Sequence, residues 1–566
     1  MLSQQFENMF AKLIFVGPAF VTVFVFTAGL TDPVNVTKLL ALGIVTCGLV
    51  ALTSLKTWKM IWENHRLTSI ALLAFIAASL NSIFQSEAPA TQTFYGVYGR
   101  NNGFLLYFLL VLLVAVVLAS EKISTIISIL KSILFAGFIN IIYCAWVLAF
   151  GDFVGWSNPY GNILGTLGNP NFIGAFLGIF SSILFSMVFT NLKNKKYLVV
   201  IFLSLGLALF EIVKSHAIQG RVLFALGLMI NFFFYIRSRW KNPIFLSIYS
   251  ILSVLSGIVA VLGTLQIGPA AKYLYKESVS LRGEYWHAGL NMAKQNLFAG
   301  VGFDAYGDWY RVSRRASALV KPGPETVSNA AHNVFIDLFA FGGLPLLFSY
   351  LGLLMIVFVT IIKIAKRQRK FDFVFVSLVG AWSCFQLQSV ISINQVGLAV
   401  WGSILSGAII AYGRILKNQE GLNNSKSIVG AKKPKRESVF SPGLRLGIGS
   451  AVGLLIAIPP FAADSKWRSA QSSRDAAKVE QALAPSYFNP ANTNKYLQAV
   501  GLFEDSGLTQ LAHKYALEAV RFNSHSYDSW KVLSLIKDST QVERDLAILK
   551  MKILDPLNRT SETGIK

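Results

Sequence analysis

Arg282 and His332 bracket most of the longest polar stretch in an otherwise apolar chain, and both have the chemistry to act on a phosphorylated substrate. A guanidinium presents a planar fork of donors that fits phosphate oxygens, and it stays charged at any physiological pH. An imidazole titrates near neutrality and can take a proton from a hydroxyl nucleophile. The pair suits transfer from a diphosphate leaving group to an alcohol, although a loop arginine and a loop histidine are also ordinary residues. Between them run Arg311, Arg314, Arg315 and Lys321, which read either as a basic surface that draws in an anion or as a solvated loop face. Tyr306, Trp309 and Tyr310 read as platforms for sugar rings or as anchors at a bilayer interface.

The surrounding elements must be membrane helices. Of 566 residues, 54% are hydrophobic and only 14% charged, against roughly 25% charged in soluble domains. Mean hydropathy is +0.54. The apolar residues gather into runs of about 18–22, enough to cross a hydrocarbon layer about 30 Å thick. Thirteen spans are expected, at about 11–29, 36–54, 67–85, 103–119, 132–150, 172–190, 197–213, 219–236, 244–266, 344–362, 373–392, 396–413 and 445–463. The first run lacks a small-residue cleavage site and reads as a retained span.

The net charge of +23 follows from topology and need not mark a nucleic-acid footprint. With the N-terminus cytoplasmic, the inner loops collect Lys56, Lys59 and Arg66; Lys193, Lys195 and Lys196; Arg237, Arg239 and Lys241; and Lys363, Lys366, Arg367, Arg369 and Lys370. The outer loops offer little beyond Arg100 and Lys214. This asymmetry puts the large 267–343 loop on the extracytoplasmic side. Cys47, Cys144 and Cys384 all fall inside apolar runs, so neither a disulfide nor a metal cluster is expected.

The expected organisation is a transmembrane domain over 1–413, a basic cytoplasmic linker over 414–444, a last span over 445–463 and an extracytoplasmic tail over 464–566. The linker is rich in Asn, Ser, Gly and Lys. The tail contains LAHKYALEAVRFNSHSYDSWKVLSLI and then ERDLAILKMKILDPLN. Its small and aromatic residues resemble tetratricopeptide helix pairs, which present a surface to a partner. A small helical cap is the other reading.

The pattern around the two site residues is more specific. LRGEYWHAGLNM, NLFAGVGFDAY and AHNVFIDLFAFGGLPLL follow one another in order. They resemble the O-antigen ligase and O-antigen polymerase family, with Arg282, Trp286, Gly300, Gly302, His332, Asn333, Gly342 and Gly343 at the matching places. The likeness covers roughly residues 80–410 and includes TLGNPNFIGAFL (166–177) and VYGRNNGFLLYF (97–108). Arg100, in the second of these, reads as a further phosphate contact or as an interfacial anchor. Many members carry Ser-Arg-Gly where this chain has SHAIQGRVLFALG (215–227), with Gln219 at the arginine's place and Arg221 two residues later.

The resemblance implies an all-α, GT-C-like polytopic fold in a bacterial cytoplasmic membrane. It implies a glycosyltransferase that uses no metal or other cofactor and takes its donor from undecaprenyl diphosphate. His332 and Arg282 would be catalytic, and Arg221 and Arg100 would bind diphosphate. The acceptor would be a lipid, a growing glycan or a protein. The alternative is a transporter or flippase of lipid-linked oligosaccharides, which would want polar residues at mid-span. Gln386 and Gln388 are the notable polar interruptions. An acidic pair in the first outer loop, as in metal-dependent membrane glycosyltransferases, is missing: TDPVN offers Asp32 alone.

Overall fold

A computed structural model of the chain describes residues 2–240, 242–264, 267–274, 281–424 and 440–558. Lys241, the end of the expected 244–266 span, residues 275–280 of the long loop, residues 425–439 of the expected linker and the last eight residues of the tail lie outside the described residues. The chain is a polytopic, all-helical membrane protein. Twelve helices among the described residues are long and apolar enough to cross a membrane. The thirteenth expected span is a shorter apolar helix, Phe104–Val117.

In chain order the helices are α1 (Leu2–Val23), α2 (Asn35–Leu52), α3 (Leu55–Asn64), α4 (Arg66–Gln85), α5 (Ala90–Tyr95), α6 (Phe104–Val117), α7 (Ile123–Phe150) and α8 (Pro170–Thr190). They continue as α9 (Lys195–Lys214), α10 (Ile218–Arg239), α11 (Pro243–Thr264) and α12 (Ala271–Leu274). The polar loop holds α13 (Arg282–Gln295), α14 (Tyr306–Ser313) and α15 (Ser317–Val320). Then come α16 (Val334–Arg367), α17 (Phe373–Ile391), α18 (Val396–Asn424) and α19 (Pro442–Ser473). The tail adds α20 (Ala476–Leu483), α21 (Thr493–Asp505), α22 (Thr509–Phe522), α23 (Tyr527–Leu535) and α24 (Gln541–Leu554).

Small residues decide which helices meet, because in lipid close backbone approach replaces the hydrophobic drive. Gly449, Gly453 and Ala457 form a stripe on α19 that lies against α2. A Cβ on Gly453 would sit 2.1 Å from the Gly43 carbonyl oxygen. In the same way α10 rests on α8, where a Cβ on Gly220 would meet the Gly174 carbonyl oxygen at 2.8 Å. Capping sets the helix starts. Asn169 caps α8, which opens on Pro170. Asn333 caps α16, and Ser441 caps α19.

Four helices run well beyond the apolar runs; α7 begins at Ile123, nine residues before the expected 132. α16 begins ten residues before the expected 344, and its break at Gly342 and Gly343 leaves both halves helical. α18 continues to Asn424, into the expected linker. α19 carries on past the expected end at 463 to Ser473 and joins the tail without a hinge. The tail has its own core, with Trp467, Phe503, Ala516 and Leu533 almost sealed from solvent. Within it α21 packs on α22 and α23 on α24.

Candidate active site

Two glycine pairs build the frame that brings Arg282 and His332 together. At the break in α16 the Leu344 N–H turns away from its own helix and donates to the Leu297 carbonyl at 2.8 Å. The carbonyls of Ala340 and Phe341 accept from Val301 N (2.8 Å) and Gly302 N (3.0 Å). The two strands of chain touch so closely that a Cβ on Gly300 would meet the Phe341 oxygen at 2.4 Å, and one on Gly343 the Leu297 oxygen at 2.3 Å. Both glycines have φ of +66°, a region that costs any other residue strain. The Gly-x-Gly and Gly-Gly motifs therefore interlock, which pins the 296–304 segment to α16.

The same logic seats α13. A Cβ on Gly289 would strike Ile336 Cγ2 at 2.6 Å, so α13 lies directly on the first turn of α16. The hydroxyl of the fully buried Tyr306 donates to the Tyr285 carbonyl and ties α14 to α13. Arg282 opens α13 and His332 precedes the cap of α16, so this crossing carries both to one end of the helix bundle. His332 itself has φ of +56°. It is held on both sides: Ala331 N donates to Asp337 Oδ1 at 2.6 Å, and Asn333 Oδ1 accepts from Phe335 N and Ile336 N at 3.0 and 3.2 Å. Its ring lies 5.9 Å from that of Tyr285, centroid to centroid.

Arg100 arrives from another direction. Asp304, just after the Gly-x-Gly turn, accepts from Val97 N at 2.7 Å and Asn102 N at 3.3 Å. Asn35 Nδ2 donates to the Gly99 carbonyl at 2.8 Å. The tight hairpin around Arg100 is thus gripped from beneath and from the side, and Arg100 Nη1 is buried with no hydrogen-bond partner. Burial raises the Asp304 carboxyl above its ordinary range, while Arg100 and the two backbone donors oppose that rise.

Arg100, Arg282 and His332 line one cavity of about 790 Å³. Its other walls include Asp32 ahead of α2, Asn35 at its start, Asn171 at the start of α8, Tyr160, Gln395 and Arg468 of α19. Arg282 is 9% exposed, and burial pushes its guanidinium down to about 10. Burial, with Arg100 and Arg282 adding, pushes the His332 imidazole down to about 3. The imidazole is thus uncharged at neutral pH. Asp32 Oδ1 accepts from Val34 N and Asn35 N, while its Oδ2 is buried without a partner. Burial raises this carboxyl to about 6, and nearby Asp464 adds to the rise.

Residues 217–351 match the family model for O-antigen ligase. The likeness to that family lies in this one segment of the chain. No curated protein matches the sequence. The matched segment contains Arg282 and His332, whereas Arg100, Asp32 and Arg468 reach the cavity from outside it.

Arg221 does not join them. It is exposed on α10 and stands off the cavity wall. Gln219, at the place of the family's arginine, is buried and donates to the Asn171 carbonyl, one layer behind the cavity. In the sequence Asp304 was one letter of the Gly-x-Gly segment, and Asp32 was the lone acid of the first outer loop. Arg468 had no local signal, since its place depends on how α19 stands against α2. The other arginines of the loop have structural partners. Arg311 and Arg314 are buried against Asp555 of the tail, and Arg315 pairs with Glu284 at 2.6 Å.

Proposed function

We propose that this protein transfers a glycan from an undecaprenyl-diphosphate carrier to an acceptor hydroxyl on the extracytoplasmic face of a bacterial cytoplasmic membrane. The observation that carries this reading is the shared cavity: two guanidiniums and a neutral histidine converge at one end of a membrane bundle, within an O-antigen ligase context. A bound diphosphate takes both arginines as counter-ions in a site where desolvation strengthens each contact. His332 takes the proton of the acceptor hydroxyl as its oxygen attacks the anomeric carbon. The bond from that carbon to the phosphate oxygen breaks, and its electron pair leaves with the diphosphate. Arg282 and Arg100 stabilise the charge that develops there. Because the diphosphate offsets the arginine charges, the imidazole becomes a better base once the donor is bound.

The chain's own groups supply the charge stabilisation, so no metal step is invoked. The acceptor is a lipid, a growing glycan or a protein, and the helix pairs of the tail, tetratricopeptide-like in composition, offer a partner surface. In this reading the N-terminus is cytoplasmic, and the 267–343 loop and tail face outward.

The test is glycan transfer in vesicles with a defined carrier-linked donor. Arg282→Ala and His332→Ala each lower the rate at least a hundredfold while insertion and abundance stay normal. Wild-type transfer by either variant would refute the mechanism.

A further inference from the structure

α19 is more than the last membrane crossing. It starts at Pro442, and Arg468 lies 26 residues on, about 39 Å along the axis at 1.5 Å per residue. That exceeds a hydrocarbon core about 30 Å thick, so α19 is long enough to carry Arg468 past the core. Two sets of contacts fix which way the helix faces there. Below, the Gly449, Gly453 and Ala457 stripe locks α19 onto α2. Above, the fully buried Asp464 accepts from Thr31 N at 2.7 Å and Asp32 N at 3.1 Å, and from the Tyr98 hydroxyl. Arg468 follows Asp464 by four residues, so it projects from the same side one turn higher. It lines the cavity and is exposed. Among the described residues it has no hydrogen bond or ion pair.

The charge in the cavity asks for such a group. A diphosphate linking a lipid to a sugar carries two negative charges. Once the sugar has left, the terminal phosphate gains a further ionisation near neutrality. Among the described residues, Arg100 and Arg282 are the guanidiniums that line the cavity from the polar loops, and Asp32 works against them when ionised. The position aligned with the family's upstream arginine is the neutral Gln219, which is spent on Asn171.

We propose that Arg468 is a third diphosphate-binding residue, a capture group at the cavity mouth supplied by the last membrane helix. This rests on the reading of the cavity as a diphosphate site. An exposed guanidinium acts in high dielectric, so it holds bound donor and leaving group alike. Its loss is felt in affinity more than in the chemical step.

The experiment uses the full chain in vesicles, with inorganic pyrophosphate as competitive probe against the lipid-linked donor. Arg468→Ala raises the donor KM and the pyrophosphate inhibition constant together, each about tenfold. Its kcat stays within about threefold, and Arg468→Lys recovers part of the affinity. Two results overturn the inference and leave the parent reading standing. In one, both constants are unchanged while Arg282→Ala is inactive. In the other, only the acceptor KM moves. If the wild-type protein transfers no glycan and pyrophosphate does not bind, the parent reading fails and this inference with it.

Discussion

Asp555, just past the end of α24, ties the tail to the long polar loop through a buried charge cluster. Its carboxylate takes two hydrogen bonds from Arg314 Nη2, at 2.8 and 2.6 Å, and one from Arg311 Nη1 at 3.1 Å. The side chains are 1%, 0% and 4% exposed respectively. Asp555→Ala would leave two guanidiniums out of water. They would keep only the Pro324 carbonyl, the Tyr527 ring and, for Arg311, Glu325 at 3.6 Å. Removing one partner of a buried ion pair costs about 3–5 kcal/mol, because the other charge stays desolvated. At 1.4 kcal/mol per factor of ten, tail docking should weaken by roughly two to three and a half orders of magnitude. Hydrogen exchange of α14 and α23 in the full-length protein in nanodiscs measures this directly, as faster exchange in both faces of the contact. The double variant Asp555→Leu with Arg314→Met should recover much of the loss, since it removes a stranded charge as well as the pair. Exchange rates in Asp555→Ala within threefold of wild type would refute the reasoning.

His332 is held near pH 3 in the free protein by burial and by Arg100 and Arg282. A depressed histidine stays neutral as pH falls, so kcat/KM should show no acid limb from His332 near its ordinary 6.5; an apparent pKa at that value which disappears in His332→Gln would contradict this. Gly343→Ala places a Cβ 2.3 Å from a backbone oxygen at φ +66° and should cost about 2 kcal/mol or more. Gly352→Ala, with open space around its Cβ, serves as the neutral control in the same thermal melt. Asp464→Ala removes the acceptor of two backbone N–H groups and a tyrosine hydroxyl, so the loop ahead of α2 should loosen and the donor KM rise several-fold. Unchanged donor affinity in that variant would mean the loop holds its place without α19.

The membrane helices were legible because lipid imposes its thickness on apolar runs: each expected run overlaps a helix among the described residues, although α1 ends at Val23, short of the expected 29. What hydropathy misses is the helix that continues into water. α19 runs on to Ser473 through Asp464 and Arg468, where polar residues read as the start of a tail. The span expected from 344 begins ten residues earlier, and Gly342 and Gly343 form a break inside one long helix. Arg282 and His332 were legible as chemistry through the motifs around them, but their meeting depends on Gly289, Gly300 and Gly343. Those glycines matter for what their missing Cβ atoms would strike. Arg100 had two readings of equal standing, anchor or phosphate contact. The grip of Asp304 on its hairpin places it on the cavity wall. For Arg221 the two-residue offset from Gln219 proves decisive: Gln219 faces α8, and a residue two further along a helix is turned about 200° away.

The cavity is assembled from chain segments far apart in sequence, and acids buried outside the cavity hold them. Asp304 grips the Arg100 hairpin. Asp464 clamps the first loop and Tyr98. Asp308 accepts from Gln92 of α5 at 2.8 Å and from Asn523 of the tail at 3.1 Å. Asp464 and Asp308 each satisfy donors from two segments, and Asp304 ties its own segment to the hairpin, so none of these segments can shift alone without stranding a buried polar group. The arrangement makes physical sense for a site that concentrates cations. Guanidiniums brought together without an anion repel one another, and their positions must be set by contacts other than their own. The carboxylates stand behind the arginines and leave the arginine donors that line the cavity open to a ligand. On this account the last helix and the tail belong to the frame of the active site, and losing either should disturb donor binding before any partner of the tail is considered.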